Sequence, residues 1–375
     1  MSQKNLKEIP TEVLDLDLPP EKRWIHIVQN YEYELKKIYN QLNNQELSYL
    51  GSFGKYGLLG LINLFVGLGK VKFIEELNSI AEVMEVPVSR VILMQLMYEL
   101  STCCTSSIIN TRQDPILVRT MDWNLTSLDP LTINLNVKKG GRIIYQATTW
   151  VGYVGILTAV RPDHYAIAIN YRRSYTNTIW DNFKACISMR WPIGYLVRDI
   201  LDGQVDHHGA VELFKKSTLI APCYITMISR RRKGPISGIV KMKDDGLVIQ
   251  RNQYPHAEDD LNAVIYLGNN SVLTQTNIDQ GCYDDDKDIL WSIKRRDLAK
   301  VIGDGLLELG KGKLKVNTLE QRSKILGKYL TFPILNDETR YISLIHPGRF
   351  NTEEIDCLDS RKIFNNPYEV DPLLE

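Results

Sequence analysis

A cysteine, an arginine and an aspartate stand near one another in this sequence, at Cys104, Arg119 and Asp122. The residues between them predict a β-hairpin, because the β-branched stretch Thr105 to Asn110 is followed by the turn residues Gln113-Asp114-Pro115 and a second strand. In an antiparallel hairpin the end of the second strand lies beside the start of the first. We therefore expect the thiol, the guanidinium and the carboxylate to converge.

Such a group suits nucleophilic chemistry if the chain is cut immediately before Cys104, because that residue then carries a thiol and a free α-amine. An α-amine has a reference pKa near ~7.7 to 8.0 and a thiol near ~8.5, so the two exchange a proton close to neutrality. In this hypothesis Arg119 favours the thiolate and Asp122 orients the amine. The competing interpretation is that Cys103 and Cys104 are buried small hydrophobic residues, as most free cysteines are.

These residues resemble the self-cleavage site of a known family. The segments YELSTCCTSSII and RTMDW are similar to those of acid ceramidase and N-acylethanolamine acid amidase, which are N-terminal-nucleophile amidases with a catalytic cysteine. Further matching blocks are Leu16 to Trp24, Thr149 to Thr158, Leu219 to Tyr224 and Gln275 to Asn277. The resemblance runs from Leu16 to Arg296, and several separated motifs in the right order are more specific than one short pattern.

The resemblance implies an α+β fold, an αββα sandwich of two stacked antiparallel sheets that follows a helical N-terminal segment. It also implies self-cleavage between Cys103 and Cys104. The products are a helical fragment of residues 1–103 and a catalytic fragment of residues 104–375, which are expected to remain associated. The chain pattern agrees with this fold, because two groups of strands are predicted with helices before, between and after them.

The hydrophobic periodicity locates these elements. Helices are predicted between residues 24 and 100, from about 181 to 216, and over 288–309 and 318–329. After the hairpin, strands are predicted at 131–137, 142–148, 154–160 and 165–170, and then at 223–229, 238–242, 246–251, 263–267 and 272–276.

The resemblance also assigns the remaining site residues. Asn277 is expected to donate its side-chain amide to the oxyanion that forms when a thiolate attacks an amide carbonyl. The second arginine of the family site corresponds to Arg295. Arg296 is the alternative, because the gap between Asn277 and this arginine pair is longer here than in the family.

Tyr171 departs from the family pattern, because family members carry a glutamate at this position. That carboxylate is linked with the site and with processing. Asn170 is expected to substitute for it in part, and Trp150, in one of the matching blocks, is a further neighbour of the site. The departure supports a competing hypothesis, a lipid-binding relative without turnover.

Composition excludes several classes of protein. The 375 residues include 45 basic and 45 acidic side chains, so the net charge is zero and a nucleic-acid partner is not expected. The six cysteines form no CxxC pair and the six histidines are scattered. This pattern predicts neither a disulfide scaffold nor a metal site, and no cofactor is expected.

One uncharged stretch, Tyr56 to Leu68, is too short for the ~20 residues that span a bilayer. It predicts either a core helix or a helix that contacts a membrane or lipid surface transiently, with Lys70 and Lys72 at headgroup level. The segment before Pro19 lacks the apolar core of a secretory signal. A cytoplasmic location is therefore expected, or a lysosomal one if a targeting segment precedes it.

The predicted function is hydrolysis of a lipid amide after self-cleavage. A ceramide-like N-acyl sphingoid lipid is the first candidate substrate, and an N-acylethanolamine is the second. A non-catalytic lipid-binding relative is the candidate from another class.

Overall fold

The structure of this protein is a computed structural model. It describes residues 6–44, 59–60, 62–97, 103–112, 114–173, 179–230, 245–255, 263–268, 270–282, 286–348 and 356–363. Its strands in chain order are β1 (Leu6–Glu8), β2 (Thr11–Asp15), β3 (Cys103–Ile109), β4 (Ile116–Asp122), β5 (Thr132–Lys139), β6 (Arg142–Trp150), β7 (Thr158–Arg161), β8 (Tyr165–Tyr171), β9 (Cys223–Ser229), β10 (Gly246–Arg251), β11 (Ala263–Tyr266), β12 (Val272–Gln275), β13 (Thr339–Ile345) and β14 (Leu358–Ile363).

These strands form two sheets. The six-stranded sheet has the order β1-β14-β13-β4-β3-β12, and the eight-stranded sheet has the order β11-β10-β9-β8-β7-β6-β5-β2. All pairs in the first sheet are antiparallel. In the second sheet β2 pairs with β5 in parallel, so the prediction of antiparallel sheets holds except at this edge.

Helices cover the outer face of each sheet. They are α1 (Ile25–Asn30), α2 (Glu32–Asn44), α3 (Ile74–Met84), α4 (Val88–Gln95), α5 (Ile179–Ile187), α6 (Ile193–Asp202), α7 (His207–Lys216), α8 (Lys287–Leu309) and α9 (Leu319–Tyr329). Helix α9 begins with a capping box, in which the Thr318 side chain accepts from the backbone of Gln321 and the Gln321 side chain accepts in return. The side chain of Asp206 caps α7 by accepting from Gly209.

Three hydrophobic layers hold this arrangement. Helices α8 and α9 pack on the six-stranded sheet, and the N-terminal helices together with α6 and α7 pack on the eight-stranded sheet. A third cluster lies between the two sheets. Alternation along β3 sends Ile108 into the cluster between the sheets and Ile109 into the layer under α8. The αββα sandwich is therefore confirmed.

Most predicted elements are present. The predicted helical region from 181 to 216 is three helices, α5 to α7, and the strand predicted at 154–160 is restricted to β7. The strand predicted at 238–242 lies outside the described residues. The sequence analysis did not predict β1, β2, β13 or β14, although β13 pairs directly with β4 at the site.

The uncharged stretch falls partly outside the described residues, which include 59–60 and 62–68 of it. Residues 59–60 and 62–67 are helical and Leu68 lies in the turn that follows. Ile62 is buried, and Leu64 and Leu68 are 56% and 57% exposed. Ile62 belongs to the main hydrophobic core and Val66 packs against it, so the described part has one core-facing side and one exposed side. Both the core helix and the lipid-contacting helix stay as predictions. Among the described residues, no helix has the length and apolarity that crossing a bilayer requires.

Candidate active site

The β3–β4 hairpin brings the cysteine and the arginine together, as predicted. Its register pairs Cys104 with Met121 and Cys103 with Asp122. Nη2 of Arg119 lies 3.5 Å from Sγ of Cys104, and Nη1 lies 3.8 Å from it. Both side chains are fully buried. Arg119 is therefore placed to stabilise a thiolate at Cys104.

Arg119 holds this position because the facing sheet binds its other donors. Nε donates to Oγ1 of Thr158 at 2.7 Å, and Nη2 donates to the carbonyl of Ile169 at 2.8 Å. The Thr158 hydroxyl also lies 3.0 Å from that of Tyr341. The sequence analysis does not single out Thr158 or Tyr341. Thr158 closes one of the matching blocks, which is a usable signal, whereas Tyr341 lies on β13, outside every motif.

Asp122 reaches the site from the opposite face of the six-stranded sheet. Because side chains alternate along a strand, Cys104 and Arg119 face the second sheet, whereas Asp122 faces α8. Oδ2 of Asp122 accepts from Nη1 of Arg295 at 3.1 Å, and both side chains are fully buried. The predicted convergence of thiol and carboxylate is therefore wrong for the two side chains. The backbone of Asp122 does act on the thiol, because its hydrogen bond lowers the pKa of Cys104.

Arg295 is the arginine of the pair that enters the site. Besides Asp122 it binds Asn277, whose Oδ1 accepts from Nη2 at 2.9 Å. Arg296 donates instead to the backbone carbonyl of Asp279 at 3.1 Å. Consecutive residues of an α-helix point ~100° apart, so the two arginines of α8 reach different partners.

Asn277 holds the backbone nitrogen of Cys104. Its Oδ1 accepts from that nitrogen at 2.9 Å, and its Nδ2 donates to the carbonyl of Tyr171 at 2.8 Å. If the chain is cut before Cys104, this nitrogen becomes the α-amine, and Asn277 orients it. The sequence analysis gave that role to Asp122, which acts here through Arg295. The oxyanion role of Asn277 stays a prediction.

Asn170 lies between the two sheets behind the cysteine. Its Oδ1 accepts from the Ser106 hydroxyl at 2.6 Å, and its Nδ2 donates to the carbonyls of Cys104 at 3.3 Å and of Gln275 at 3.0 Å. The side chain is fully buried. Asn170 thus ties β3, β8 and β12 together, and Tyr171 contributes its backbone carbonyl to the site.

Burial dominates the electrostatics of these groups. It raises the pKa of the Cys104 thiol, and the Arg119 guanidinium opposes that rise. Burial also raises the pKa of the Cys103 thiol to about 12. It raises the pKa of Asp122 as well, against the opposing charge of Arg295. Of the two adjacent thiols, Cys104 is the one with a guanidinium in contact.

Trp150 lies in an aromatic cluster beside the site. Its ring is 5.3 Å from that of Trp123, 5.9 Å from that of Tyr153 and 6.3 Å from that of Tyr341. The two tryptophans line an apolar cleft of about 30 Å³ whose other walls include α2 and α4. The Tyr341 ring also lies 6.0 Å from the guanidinium carbon of Arg119, so this cluster extends from the cleft to the charged centre.

A larger cleft of about 300 Å³ lies on the other side of Gln95, which lines both clefts. Its walls come from the 62–72 segment, from α4 and from residues 186–195. Apolar side chains make up most of the lining, and Lys70, Lys72 and Arg190 supply cationic groups. Gln95 is fixed by hydrogen bonds of 2.8 Å to the backbone of Gly152 and of Val154.

None of the six cysteines forms a disulfide. No disulfide therefore joins the residues before Cys104 to those after it. Within the part of the chain that the structure describes, no three His, Cys, Asp or Glu side chains lie close enough together to bind a metal ion.

Comparison with known proteins relates this chain to one family. Residues 7–55 match the family model of the beta subunit of N-acylethanolamine-hydrolyzing acid amidase. An uncharacterized protein of Acanthamoeba polyphaga mimivirus is 29% identical over 89% of this chain and 95% of its own length. The acid ceramidase of Balaenoptera acutorostrata scammoni is also 29% identical, over 94% of this chain and 87% of its own length.

A solved structure supports the same relationship. The N-acylethanolamine-hydrolyzing acid amidase ortholog of Caenorhabditis elegans superposes with a TM-score of 0.52 and 25% identity, over 68% of this chain and 98% of that one. By sequence along most of its length and by fold, this chain is similar to acid ceramidase and to N-acylethanolamine acid amidase, and it is an amide hydrolase of the N-terminal-nucleophile class.

Proposed function

We propose that this chain cuts itself between Cys103 and Cys104 and then hydrolyses a lipid amide, with a ceramide-like N-acyl sphingoid lipid as the first candidate substrate. One observation carries the proposal. The thiol of Cys104 contacts the Arg119 guanidinium at 3.5 Å, while its nitrogen is held by Asn277 at 2.9 Å. Both atoms that an N-terminal cysteine nucleophile needs are thus held in the uncut chain.

The first reaction is an acyl shift within the chain. The Cys104 sulfur adds to the carbonyl carbon of Cys103, the C–N bond breaks, and the thiol proton passes to the departing nitrogen. Water then hydrolyses the thioester, which leaves a carboxylate at Cys103 and restores the thiol. Asn277 is bonded to the departing nitrogen throughout, and Arg119 stabilises negative charge on sulfur.

The second reaction uses the new α-amine as the base. It takes the proton of the Cys104 thiol, and the thiolate attacks the carbonyl of the lipid amide. The amine of the lipid leaves with a proton from the α-ammonium, and the fatty acyl group remains on sulfur as a thioester. Water releases the fatty acid, and hydrogen-bond donors near the oxyanion, for which Asn277 is the candidate, lower the barrier.

The two fragments are expected to stay associated after cleavage. Residues 1–103 supply β1 to the edge of one sheet and β2 to the edge of the other. They also supply Glu76, which binds Arg198 of the larger fragment through hydrogen bonds of 2.6 and 2.8 Å. Both side chains are buried. Packing and this ion pair hold the fragments together without a disulfide.

Intact mass and N-terminal sequencing after incubation at mildly acidic pH test the cleavage step. Wild type should yield a fragment that begins at Cys104. Cys104→Ala should remain one chain without amidase activity, because the nucleophile is gone. Cys103→Ala is the matched control and should still be cut. Cleavage of Cys104→Ala at the same bond would contradict the mechanism.

The apolar cleft supports a lipid as the substrate. Ile62, Phe65 and Met189 line the larger cleft, and Met189 is 42% exposed. Leu64 and Leu68, in the same segment as Phe65, expose 56% and 57% of their surface. Exposed Lys70 and Lys72 follow the helical segment, where they meet anionic lipid headgroups if the leucines enter a lipid surface. We infer transient contact with lipid through this segment, which delivers the acyl chain to the cleft.

Hydrolysis of matched long and short N-acyl amides, with and without anionic vesicles, tests the substrate class. Each buried methylene contributes about 0.8 kcal/mol, so removing four carbons should lower kcat/KM roughly a hundredfold if all four are buried. Leu64→Asp with Leu68→Asp should lower the rate on vesicles. Leu309→Asp is the control, since Leu309 is 81% exposed at the end of α8, on the other face of the molecule. Equal rates on short and long chains would remove the lipid assignment.

Two alternatives remain as outcomes of these experiments. An N-acylethanolamine is favoured if ethanolamine amides are cut faster than sphingoid amides of the same acyl length. The neutral Tyr171, at the position where the family has a glutamate, favours a non-catalytic lipid binder. That reading is correct if purified protein retains acyl lipid but neither cuts itself nor releases fatty acid.

A further inference from the structure

The position of the loop that carries Asn277 determines the geometry of this site. Asn277 lies just after β12, and its side chain is fully engaged by Cys104, Arg295 and Tyr171. Its geometry therefore depends on where the loop backbone stands. Misplacing a reacting group by about 1 Å is enough to slow an enzyme about a hundredfold, so what anchors this loop matters for the chemistry.

A charged clamp anchors the loop two residues after Asn277. Nε and Nη2 of Arg172 donate to Oδ1 and Oδ2 of Asp279 at 2.7 and 2.6 Å. The Tyr224 hydroxyl donates to the same carboxylate, and the Arg172 guanidinium carbon lies 5.7 Å from the Tyr224 ring centre. A bidentate arginine–carboxylate pair fixes direction as well as distance.

The backbone of the same loop is held from α8 and from β8. Arg296 donates to the Asp279 carbonyl at 3.1 Å, and the backbone N–H of Arg173 donates to the Asn277 carbonyl at 2.8 Å. Neighbouring arginines of α8 thus hold the two ends of the loop, Arg295 through the Asn277 side chain and Arg296 through Asp279.

We propose that Arg172, Asp279 and Arg296 are positioning residues that fix Asn277 against the nitrogen of Cys104. The role rests on the proposed function, because it is exerted on the residue that orients the nucleophile. It explains why the chain carries two adjacent arginines in α8, of which one alone enters the site. The end of β8 then holds Asn277 in two ways. The Tyr171 carbonyl accepts from its side chain, and Arg172, the next residue, binds Asp279 of its loop.

A purely structural ion pair predicts a different outcome. The Arg172 side chain is 2% exposed and that of Asp279 is 38% exposed. Pairs with one solvated partner add little to folding stability. Loss of the pair should therefore slow catalysis much more than it lowers the melting temperature.

The chain contains a matched control for this clamp. Arg340 and Asp129 form an ion pair at 3.1 Å with side-chain exposures of 2% and 37%. The other bonds of Arg340 go to the backbone carbonyls of Asp337 and Glu338, just before β13. Asp129→Asn therefore removes the same charge from a pair of the same burial, away from the loop.

The experiment compares Asp279→Asn with Asp129→Asn in self-cleavage and in lipid-amide hydrolysis. Asp279→Asn should lower the cleavage rate and kcat at least tenfold, leave KM within twofold, and match the control in Tm. Arg172→Lys keeps the charge without the bidentate fork, so its kcat should fall between wild type and Asp279→Asn. Equal kcat in the two asparagine variants, a loss confined to KM, or a loss that follows Tm would overturn the proposal.

Hydrogen exchange in the uncut Cys104→Ala chain separates this proposal from the proposed function. Asp279→Asn should speed exchange at the Arg173 N–H, which is bonded to the Asn277 carbonyl, whether or not the enzyme turns over. Unchanged exchange there would overturn the proposal even in an active enzyme. Faster exchange in a wild-type background that neither cleaves nor hydrolyses would uphold the clamp and contradict the function.

Discussion

Two buried guanidinium–carboxylate pairs stabilise this molecule, and they are built differently. Arg198 binds Glu76 through hydrogen bonds of 2.6 and 2.8 Å. The Trp24 indole donates to the same carboxylate at 2.7 Å, and the partly exposed Arg23 donates to it at 3.0 Å. Arg295 binds Asp122 through one hydrogen bond of 3.1 Å. In the described part of the chain, Nε of Arg295 has no hydrogen-bond partner, and the other polar neighbours of Asp122 are the uncharged Thr120 and Thr339.

The difference separates a pair that holds the fold from a pair that serves chemistry. A buried carboxylate whose two oxygens both accept charge-assisted hydrogen bonds is held in one geometry. Buried polar atoms without partners cost folding free energy, and native proteins retain them mainly where function uses them. The Glu76 pair joins the two predicted fragments, whereas the Asp122 pair lies against Asn277 and the nucleophile.

The largest expected effect is on stability, from Arg198→Met. This change removes the buried counter-charge of Glu76 and leaves Arg23, at 3.0 Å and 19% exposed, as its remaining partner. The loss should therefore lie at the lower end of the about 3–5 kcal/mol that breaking a buried pair typically costs. Urea unfolding should be measured in the Cys104→Ala background, because an uncut chain unfolds as one molecule. A loss below about 1 kcal/mol would mean that this pair does not hold the fold.

The double variant Glu76→Met with Arg198→Met is the control. Replacing both buried charges by apolar side chains is often neutral or stabilising, and the remaining Arg23 is 19% exposed and reaches water, so the double variant should recover most of the loss. A double variant as unstable as Arg198→Met alone would assign the loss to packing instead of charge.

The same substitution in the other pair, Arg295→Met, should act mainly on the reaction. Self-cleavage should slow about a hundredfold or more, because Asn277 and Asp122 lose their common donor. Its stability loss should be smaller than that of Arg198→Met. Burial already raises the pKa of Asp122, so its carboxyl takes up a proton more readily once Arg295 is gone.

Cleavage is followed by gel in the active chain, and stability by urea in the Cys104→Ala background. The comparison of the two pairs fails if Arg295→Met destabilises as much as Arg198→Met and leaves cleavage unchanged.

Sequence alone predicted the part of the site that depends on local pairing. A hairpin register is set by the turn and by alternation, so the contact between Cys104 and Arg119 follows from residues close in the chain. Alternation also explains why the predicted convergence was incomplete, since Asp122 lies on the face opposite Cys104. Family motifs supplied Asn277 and Arg295, which pattern and spacing did not reach.

The missed strands had weak patterns for physical reasons. All seven residues of β13 are buried, so the alternation that marks a half-exposed strand is absent. Strand β2 is short, contains Glu12 and Asp15, and lies at a sheet edge, where polar residues are favourable. Because β13 was not predicted, neither was the contact of Tyr341 with Thr158.

The smallest expected effect concerns pH, through Glu338 beside the Asp122 pair. Burial raises the pKa of Glu338, and the Asp122 charge raises it further. Asp337 acts in the same direction, while Arg295 and Arg340 oppose it. Repulsion between two carboxylates is mutual, so Glu338→Gln should lower the pKa of Asp122.

The sign of the effect on cleavage follows from the working form of Asp122. The ionised carboxylate is the form that pairs with Arg295, so cleavage falls as pH drops through the pKa of Asp122. Burial places this acid limb above the ordinary value of 3.8. Lowering that pKa moves the limb to lower pH, so at the pH where wild type is half-active the rate should rise, by at most about twofold.

The measurement is the rate of self-cleavage against pH in wild type, Glu338→Gln and Asp337→Asn. Asp337 is exposed, and its charge acts on Glu338, so Asp337→Asn should leave the acid limb nearly in place. A limb that moves to higher pH in Glu338→Gln would mean that Glu338 stabilises the ionised site. Equal shifts of the acid limb in the two variants would mean that the pKa of Asp122 responds to net charge. The proximity of Glu338 to the Asp122 pair would then have no specific effect.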